Sequence, residues 1–208
     1  MALNKYEDLS DIHLDVLREI GNIGSGNAAT SLSSMLDRPI NIDVPKVRIL
    51  DYNQVVEALG GPENMIVGLL LMLAGEVEGM IMFLLEQNFA KMTLSALLGE
   101  KYEEFLDEEG EMGNSAMKEV GNIMAAAYVN AISTMSGMSI SISTPDICTD
   151  MCGAIVNAPA VYYANISDKI IFIENKMSSD EEHSNGYVLM IPDVESLQKI
   201  MTNLGIEI

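Results

Sequence analysis

The sequence predicts a mixed α/β protein built from two similar halves. Helical spacing and strand-like alternation succeed one another along the chain, and their order in the second half follows that in the first. The polar pattern of residues 15–22 returns at residues 115–122, at an offset of 100 residues. With 208 residues, 49% of them hydrophobic, the chain is long enough to bury a substantial core. We therefore expect one domain over residues 1–208, made of two repeats at about 8–99 and 108–205.

The first half begins with a long helix. Ser10 is a suitable N-cap for a helix that runs to about Leu36. After it we expect a strand at 38–44 and a short helical turn at 54–59. The two strands of a hairpin follow at 65–74 and 78–85, and a second helix at 89–98. Pro45 ends the first strand, and Gly99 is a suitable C-cap for the last helix.

Three glycines weaken the first helix, at positions 21, 24 and 26. Each interior glycine costs up to about 1 kcal/mol relative to alanine. Two explanations are open. Either another backbone packs closely against the helix there, or something must approach its exposed side without obstruction.

The second half repeats this order after an acidic run at residues 100–111, the expected joint between the halves. We expect a helix at 111–135, a strand at 138–144 and a turn at 152–156. Two strands follow at 161–166 and 169–173, and then an acidic loop at 178–185, a strand at 187–191 and a closing helix at 194–204. Pro145 ends the first of these strands as Pro45 ends its counterpart. Asp193 is a suitable cap for the closing helix, which ends at Gly205.

The charge and hydropathy patterns exclude several classes of partner. The formal net charge is -20, from 31 acidic and 11 basic residues, and this opposes binding to nucleic acid or to an anionic membrane surface. The most apolar stretch, residues 65–85, contains Glu76 and Glu78 and so falls short of the roughly 20 continuous apolar residues that a membrane helix needs. The first thirty residues carry no export signal. We therefore expect a cytoplasmic protein.

The cysteines and histidines do not indicate a metal-binding or nucleophilic cluster. Cys148 and Cys152 stand four positions apart without a second pair or a nearby histidine, so we expect a reduced pair and neither a disulfide framework nor a zinc site. His13 and His183 are far apart in sequence, and the second lies in the predicted acidic loop. Neither is assigned a catalytic role, and no metal site is expected.

The repeated stretch presents a polar face on an otherwise apolar helix. At 100° per residue, Asp15, Glu19 and Asn22 fall within an arc of roughly 60°, and the opposite side is apolar. Ser115, Glu119 and Asn122 repeat the arrangement, again with an apolar back. A helix–strand scaffold does not require an acid and an amide on its exposed face, so their presence in both halves indicates a site.

A carboxylate and an amide three residues apart limit the chemistry. They form no nucleophilic triad, and alone they make a poor site for a hard cation, which takes several oxygen ligands. A glycosidase pair would require the two helices to bring their carboxylates within about 10 Å of each other. An amide both donates and accepts hydrogen bonds, and can hold a water in line for attack, while a carboxylate can pair with a lysine of a partner. We therefore expect these residues to complete the active site of another protein.

The motif resembles that of the CheC-type chemotaxis phosphatases, Asp/Ser-x3-Glu-x2-Asn-x22-Pro. In this chain it reads Asp15, Glu19, Asn22 and Pro45. It occurs again with the same spacings, as Ser115, Glu119, Asn122 and Pro145. The resemblance covers essentially the whole chain, and two intact motifs make it most similar to CheC proper within the CheC, CheX and FliY group. It implies a pseudo-twofold α/β fold, with a continuous, mostly antiparallel sheet flanked by the two long motif helices.

The resemblance also implies an activity, which is dephosphorylation of the phosphorylated response regulator CheY. By position, Asn22 and Asn122 would orient the hydrolytic water at the regulator's aspartyl phosphate, and Glu19 and Glu119 would grip its lysine. The regulator would supply Mg²⁺, and this chain would need no cofactor of its own.

Further contacts are expected around the motifs. From the residues themselves, Arg18 and Lys118 flank the two sites and are candidates for contact with an acidic regulator, or are ordinary helix-surface charges. The resemblance implies a second partner, the receptor deamidase CheD, which would dock on residues 146–156 and contact Asp150. The expected assembly is a monomer or a heterodimer with CheD. The alternative function is a non-catalytic flagellar switch or adaptor protein of FliM-like fold that binds CheY or CheD.

Overall fold

The computed structural model describes residues 5–99, 110–163, 169–179 and 182–207. In these ranges the helices are α1 (Asp11–Leu36), α2 (Tyr52–Ala58), α3 (Gln87–Leu98), α4 (Glu111–Ser136), α5 (Cys152–Tyr163) and α6 (Val194–Asn203). The strands are β1 (Asn41–Ile42), β2 (Lys46–Asp51), β3 (Met65–Gly75), β4 (Gly79–Glu86), β5 (Ile140–Ile142), β6 (Asp146–Met151), β7 (Lys169–Ser179) and β8 (Glu182–Pro192). The mixed α/β prediction is confirmed.

The strands form one eight-stranded sheet in the order β1-β7-β8-β4-β3-β5, with β2 also on β7 and β6 also on β3. All the described strand pairs are antiparallel, as the resemblance implied. The pairing crosses between the halves. The edge strands β1 and β2 pair with β7, β5 and β6 pair with β3, and β4 pairs with β8 at the centre.

Both faces of this sheet are covered by helices. The side chains of β4 alternate, so that Ile81 and Phe83 pack with α1, α3, α4 and α6, while Met82 and Leu84 pack with α2 and α5. The central strand β4 is apolar along nearly its whole length, because both of its faces are buried. The two motif helices, α1 and α4, lie side by side on the same face of the sheet.

The ends of the two motif helices follow from local chemistry. Ser10 caps α1, as predicted, and its backbone N–H donates to Nδ1 of the buried His13, 2.9 Å away. The helix ends where Asp37 adopts a left-handed conformation. Helix α4 ends in the same way at Gly137, whose φ of 72° favours glycine. Both helices have 26 residues, within a residue of the predicted bounds.

The edge strands depart from the prediction. Pro45 and Pro145 were expected to end their strands, but β2 and β6 follow directly and continue the sheet. Ile42 pairs with Met177 and Lys46 pairs with Glu174. Between these two pairs the edge strand advances by four residues and β7 by three. β5 and β6 show the same offset against β3. Each proline therefore lies at a one-residue bulge in an edge strand, where its missing N–H breaks the ladder only locally.

Helix α5 replaces the predicted turn at residues 152–156 and the start of the predicted strand at 161–166. Gly153 and Pro159 lower the helical signal of this segment. Tertiary packing overrides that signal, because Cys152, Ile155 and Val156 are buried against the sheet. Residues 164–168, the rest of the predicted strand, lie outside the described residues.

The predicted acidic loop at residues 178–185 is largely strand. β7 extends to Ser179 and β8 begins at Glu182, whereas the predicted strands covered only 169–173 and 187–191. This segment lacks an apolar alternation, and hydrogen bonds to Glu86 hold part of it in the sheet. Glu86 accepts from the side chain of Ser184 at 3.0 Å and from the side chain of Asn185 at 2.7 Å.

The other predicted elements are confirmed, namely the β3–β4 hairpin, α2, α3 and α6. Asp193 caps α6 by accepting from the N–H of Ser196 at 2.6 Å. The acidic joint lies almost wholly outside the described residues, and the domain and repeat bounds remain predictions. No helix in the described part of the chain is long and apolar enough to cross a membrane.

Candidate functional site

The first motif lies on the outer side of α1. Asp15, Glu19 and Asn22 are exposed, while Leu17 and Ile20 are each 1% exposed and point into the core. The helical periodicity thus assigned the exposed and buried sides correctly.

The second motif has the same arrangement on α4. Ser115 and Glu119 are exposed and Asn122 is half-buried. Met117 and Val120 are fully buried behind them. Each helix therefore has its carboxylate and amide on its outer side, while the opposite side is packed against the core.

A glycine before each asparagine holds the helix close to the sheet. A Cβ added at Gly21 would lie 3.4 Å from Cγ2 of Val47, and one added at Gly121 would lie 3.2 Å from Cδ1 of Leu69. There is little space for a larger side chain at either position. These contacts fix the height of Asn22 and Asn122 above the sheet.

The two motif helices also contact each other closely. At Gly24 an added Cβ would lie 2.7 Å from Cδ1 of Tyr128, so only glycine leaves room for the tyrosine ring. Of the three glycines in α1, Gly21 and Gly24 are packed against side chains and not against the backbone that was expected, while Gly26 has nothing within 4 Å of an added Cβ.

A buried polar cluster links these helices to β7. The Ser25 hydroxyl lies 2.8 Å from the Tyr128 hydroxyl and donates to Oδ1 of Asn175 at 2.7 Å. Nδ2 of Asn175 donates to the Tyr128 hydroxyl at 3.2 Å. Burial raises the pKa of Tyr128 to about 12, although both hydrogen bonds favour the ionised form.

This cluster was missed by the sequence analysis. Asn175 interrupts the inward apolar run of β7, formed by Ile171, Ile173 and Met177. A buried amide at such a position needs hydrogen-bond partners, so this was the available signal. The cluster holds the motif helices in place and does not reach the exposed motif residues.

The two sites differ in the charges beside them. Arg18 forms an ion pair with Asp15, and both side chains are exposed. Lys118 is half-buried and, within the described ranges, makes no ion pair. In the second motif, Ser115 takes the position that Asp15 has in the first, and a serine carries no charge. The cation of the second site is therefore not neutralised on its own helix.

The remaining predicted residues lie away from the exposed motif faces. Pro45 and Pro145 are buried at the edge-strand bulges, so they are positions of the scaffold. Asp150 is exposed on β6, an edge strand. Cys148 and Cys152 are both free thiols, as predicted.

Within the described residues, the motif acids and amides lie outside the cavity between α3, β7 and β8. A cavity of about 580 Å³ lies between α3, β7 and β8, and its lining includes Arg38, Lys91 and His183 but none of the four motif acids and amides. Small-molecule sites are usually concave, so two exposed helix faces are better suited to contact with a macromolecule. In the described residues no group of three or more His, Cys, Asp or Glu side chains is arranged to hold a metal ion.

Comparison with known proteins connects both motifs to one family. The model of the CheC-like family matches residues 12–49 and 112–148, the segments that contain the two motifs. The chain is 26% identical over 203 residues to the CheY-P phosphatase CheC of Bacillus subtilis, covering 96% of this chain and 97% of that protein. It is 28% identical over 143 residues to the flagellar motor switch phosphatase FliY of the same organism, covering 69% of this chain and 37% of FliY.

Solved structures share the fold. The structure of FliY from Thermotoga maritima superposes with a TM-score of 0.73 at 24% identity, covering 95% of this chain and 98% of that one. The FliM middle domain from H. pylori gives a TM-score of 0.63 at 16% identity, covering 94% and 99%. The fold is thus shared by proteins with different names, and it does not by itself identify the activity.

Proposed function

The chain belongs to the CheC-like family, and on this premise we propose that it is a phosphatase that hydrolyses the aspartyl phosphate of the response regulator CheY and so contributes to adaptation in chemotaxis. Two Bacillus subtilis relatives are named as phosphatases, one of them as a CheY-P phosphatase, which supports such a role at the level of the family. The observation that carries the proposal is the Glu–Asn pair on the outer side of both motif helices, fully exposed on α1 and with Asn122 half-buried on α4, while the opposite side of each helix is buried in the core.

The chemistry of the pair supports a mechanism in which the partner supplies half of the active site. We propose that the amide of Asn22 or Asn122 enters the regulator's phosphate site and orients a water in line with the phosphorus–oxygen bond that breaks. Glu19 or Glu119 pairs with a lysine of the regulator and sets the depth at which the amide enters. A fixed helix is suited to this role, since a small error in the position of the water costs much of the rate.

The metal in this mechanism belongs to the regulator. Phosphoryl transfer needs a divalent cation to neutralise charge on the phosphoryl oxygens. We propose that the regulator brings Mg²⁺ with its phosphoryl group and that this chain binds no cofactor of its own.

The charges beside the motifs support a difference between the two sites. Among the described residues Lys118 has no ion-pair partner and can attract an acidic regulator, while Arg18 must share its charge with Asp15. We propose that both residues contact the regulator and that Lys118 contributes more to attraction.

The test is phosphate release from CheY that has been phosphorylated with acetyl phosphate. We expect the chain to accelerate release and the double variant Asn22→Ala, Asn122→Ala to abolish that acceleration, because no amide remains to orient the water. The matched control is the double variant Asn27→Ala, Asn130→Ala, which removes exposed amides from the same two helices outside the motifs and should keep full activity. Full activity in the motif variant would refute the mechanism.

The single variants test whether the two sites work independently. If they do, Asn22→Ala and Asn122→Ala each retain part of the activity, roughly half if the sites are equal. Complete loss in one single variant would show that only that half works.

A second candidate function is a non-catalytic switch or adaptor protein that binds CheY or CheD. Its support is the fold shared with the FliM middle domain. An adaptor would bind the regulator without accelerating phosphate release, so the same assay, combined with a binding measurement, separates the two functions. A fold of this kind does not require an exposed Glu–Asn pair on both helices, which is why we favour the phosphatase.

The proposal also includes CheD as a regulator of the activity. The segment expected to bind it, residues 146–156, forms the edge strand β6 and the start of α5, with Asp150 exposed. An edge strand and the first turn of a neighbouring helix give a partner both backbone and side-chain groups to contact. We propose a cytoplasmic monomer that becomes a heterodimer when CheD binds.

A further inference from the structure

Two exposed apolar side chains stand at equivalent positions in the two halves. Ile12 is 53% exposed and Met112 is 58% exposed, and they are 100 residues apart, as the motifs are. The other large hydrophobic residues that are exposed among the described residues do not recur in this way. Val44, Met65 and Met151 correspond at the same offset to Thr144, Asn165 and Asp51, all of them polar.

Each of the two side chains lies on the same helical stripe as a motif. Counting at 100° per residue, Ile12, Asp15, Glu19 and Asn22 fall within an arc of about 80°. They are spaced three or four residues apart, so each is a surface neighbour of the next along α1. With a rise of about 1.5 Å per residue, the stripe extends for about 15 Å. Met112 continues the second motif on α4 in the same way.

Single exposed hydrophobic residues are normal on protein surfaces and need no explanation. Recurrence at the motif offset and alignment with the motif are two properties that a random surface residue does not share.

We propose that Ile12 and Met112 are specificity-determining contacts, each packing against an apolar side chain of the phosphorylated regulator beside the phosphate site that the neighbouring asparagine enters. The inference rests on the proposed function, which supplies the partner. It adds an apolar side chain to a surface that otherwise contacts the regulator through a carboxylate and an amide.

The chemistry of the surface explains why such a contact is useful. The chain carries a formal net charge of -20, so long-range electrostatics oppose an acidic partner. Burial of an apolar side chain is non-directional and insensitive to this repulsion. The contact is made equally before and during hydrolysis, and so it lowers KM without changing kcat.

The experiment compares three double variants with the unmodified chain in a steady-state assay of phosphate release. We expect Ile12→Ala with Met112→Ala to raise KM roughly five- to thirtyfold at constant kcat, the change expected when an aliphatic side chain leaves an interface. Ile12→Leu with Met112→Leu keeps the apolar surface and should stay within about twofold of the unmodified chain. Val44→Ala with Met65→Ala changes exposed apolar residues outside the motif helices and outside the segment proposed to bind CheD, and should change neither constant. Far-UV circular dichroism checks that all variants are folded.

The outcomes separate the inference from the function on which it rests. An active chain whose alanine variant has an unchanged KM, or whose leucine variant is as impaired as the alanine variant, overturns the inference and leaves the phosphatase proposal intact. A chain that does not accelerate release overturns the phosphatase proposal. The inference is then tested by titration with regulator activated by beryllofluoride. Weaker binding of the alanine variant supports it, and equal binding, or no binding by the unmodified chain, overturns it.

Discussion

Tyr128 is a single residue on which the position of both motif helices depends. Its ring occupies the space left by Gly24 of α1, and its hydroxyl lies within hydrogen-bond distance of Ser25 and Asn175. The phenol is 1% exposed and neutral, and ionisation would leave a buried charge with no cation beside it among its hydrogen-bond partners.

This environment predicts a specific dependence of stability on pH. The folded-state pKa of Tyr128 is raised from 10.0 to about 12, so the folded protein holds this proton more tightly than the unfolded chain. Its contribution is fully present below pH 10 and is lost as the pH rises from about 10 to 12, with a slope of up to about 1.4 kcal/mol per pH unit. Urea unfolding between pH 8 and 11.5 measures this slope.

The matched comparison for this prediction is Tyr128→Phe. The variant keeps the ring against Gly24 but lacks the titrating group, so its loss of stability above pH 10 should be shallower than that of the unmodified chain. Parallel curves would show that other groups cause the alkaline loss. Burial also raises the pKa of Tyr187. Because both proteins contain this residue, it affects the two stability curves alike.

Among the elements, the contact between α1 and α4 shows why similar glycines have different roles. Gly24 and Gly26 are two positions apart on one helix. The first faces Tyr128 at a distance that excludes a Cβ, and the second faces open space. Both carry the same intrinsic cost in a helix, so the difference between them is entirely tertiary.

The two glycines therefore predict opposite effects of the same substitution. Gly24→Ala should lower the free energy of unfolding by roughly 1–3 kcal/mol, because the new methyl group displaces the ring of Tyr128. Gly26→Ala should raise it by about 0.5–1 kcal/mol, since alanine has the higher helix propensity and meets no atom. Chemical denaturation of both variants at neutral pH measures the difference. Equal effects would mean that α1 and α4 do not contact each other as described.

At the scale of the whole molecule, the two halves are held together by exchanged strands. The first half supplies β1 and β2 to β7 of the second, and the second supplies β5 and β6 to β3 of the first. The central pair, β4 and β8, also joins the halves. The long strands β3 and β7 each have one sheet neighbour in their own half, β4 and β8, and take their other neighbours from the opposite half.

We therefore expect neither half to fold alone. A fragment of residues 1–99 should show no cooperative thermal transition by circular dichroism, because β3 and β4 each lose a strand neighbour and expose apolar surface. Co-expression with a fragment of residues 100–208 should restore a single cooperative transition and a 1:1 complex in size-exclusion chromatography. A fragment 1–99 that folds cooperatively as a monomer would contradict the single-domain prediction.

Features that depend on neighbours along the chain could be predicted from the amino-acid sequence. Helical periodicity separated Asn22 and Glu19 from the buried Leu17, and capping chemistry located the start of α1 at Ser10, because these signals are read within one or two turns. The repeated spacing predicted the candidate sites on both helices. The assignment of roles to their side chains came from the resemblance to a family and stays a prediction.

Features that depend on residues far apart in the chain became visible only in the folded protein. Helix α5 forms despite Gly153 and Pro159 because the sheet buries its apolar side, and β2 continues past Pro45 because β7 offers it a partner. Tyr128, Ser25 and Asn175 meet although they lie up to 150 positions apart. Local patterns carry no record of such contacts, since packing free energy arises only when the folded chain brings the residues together.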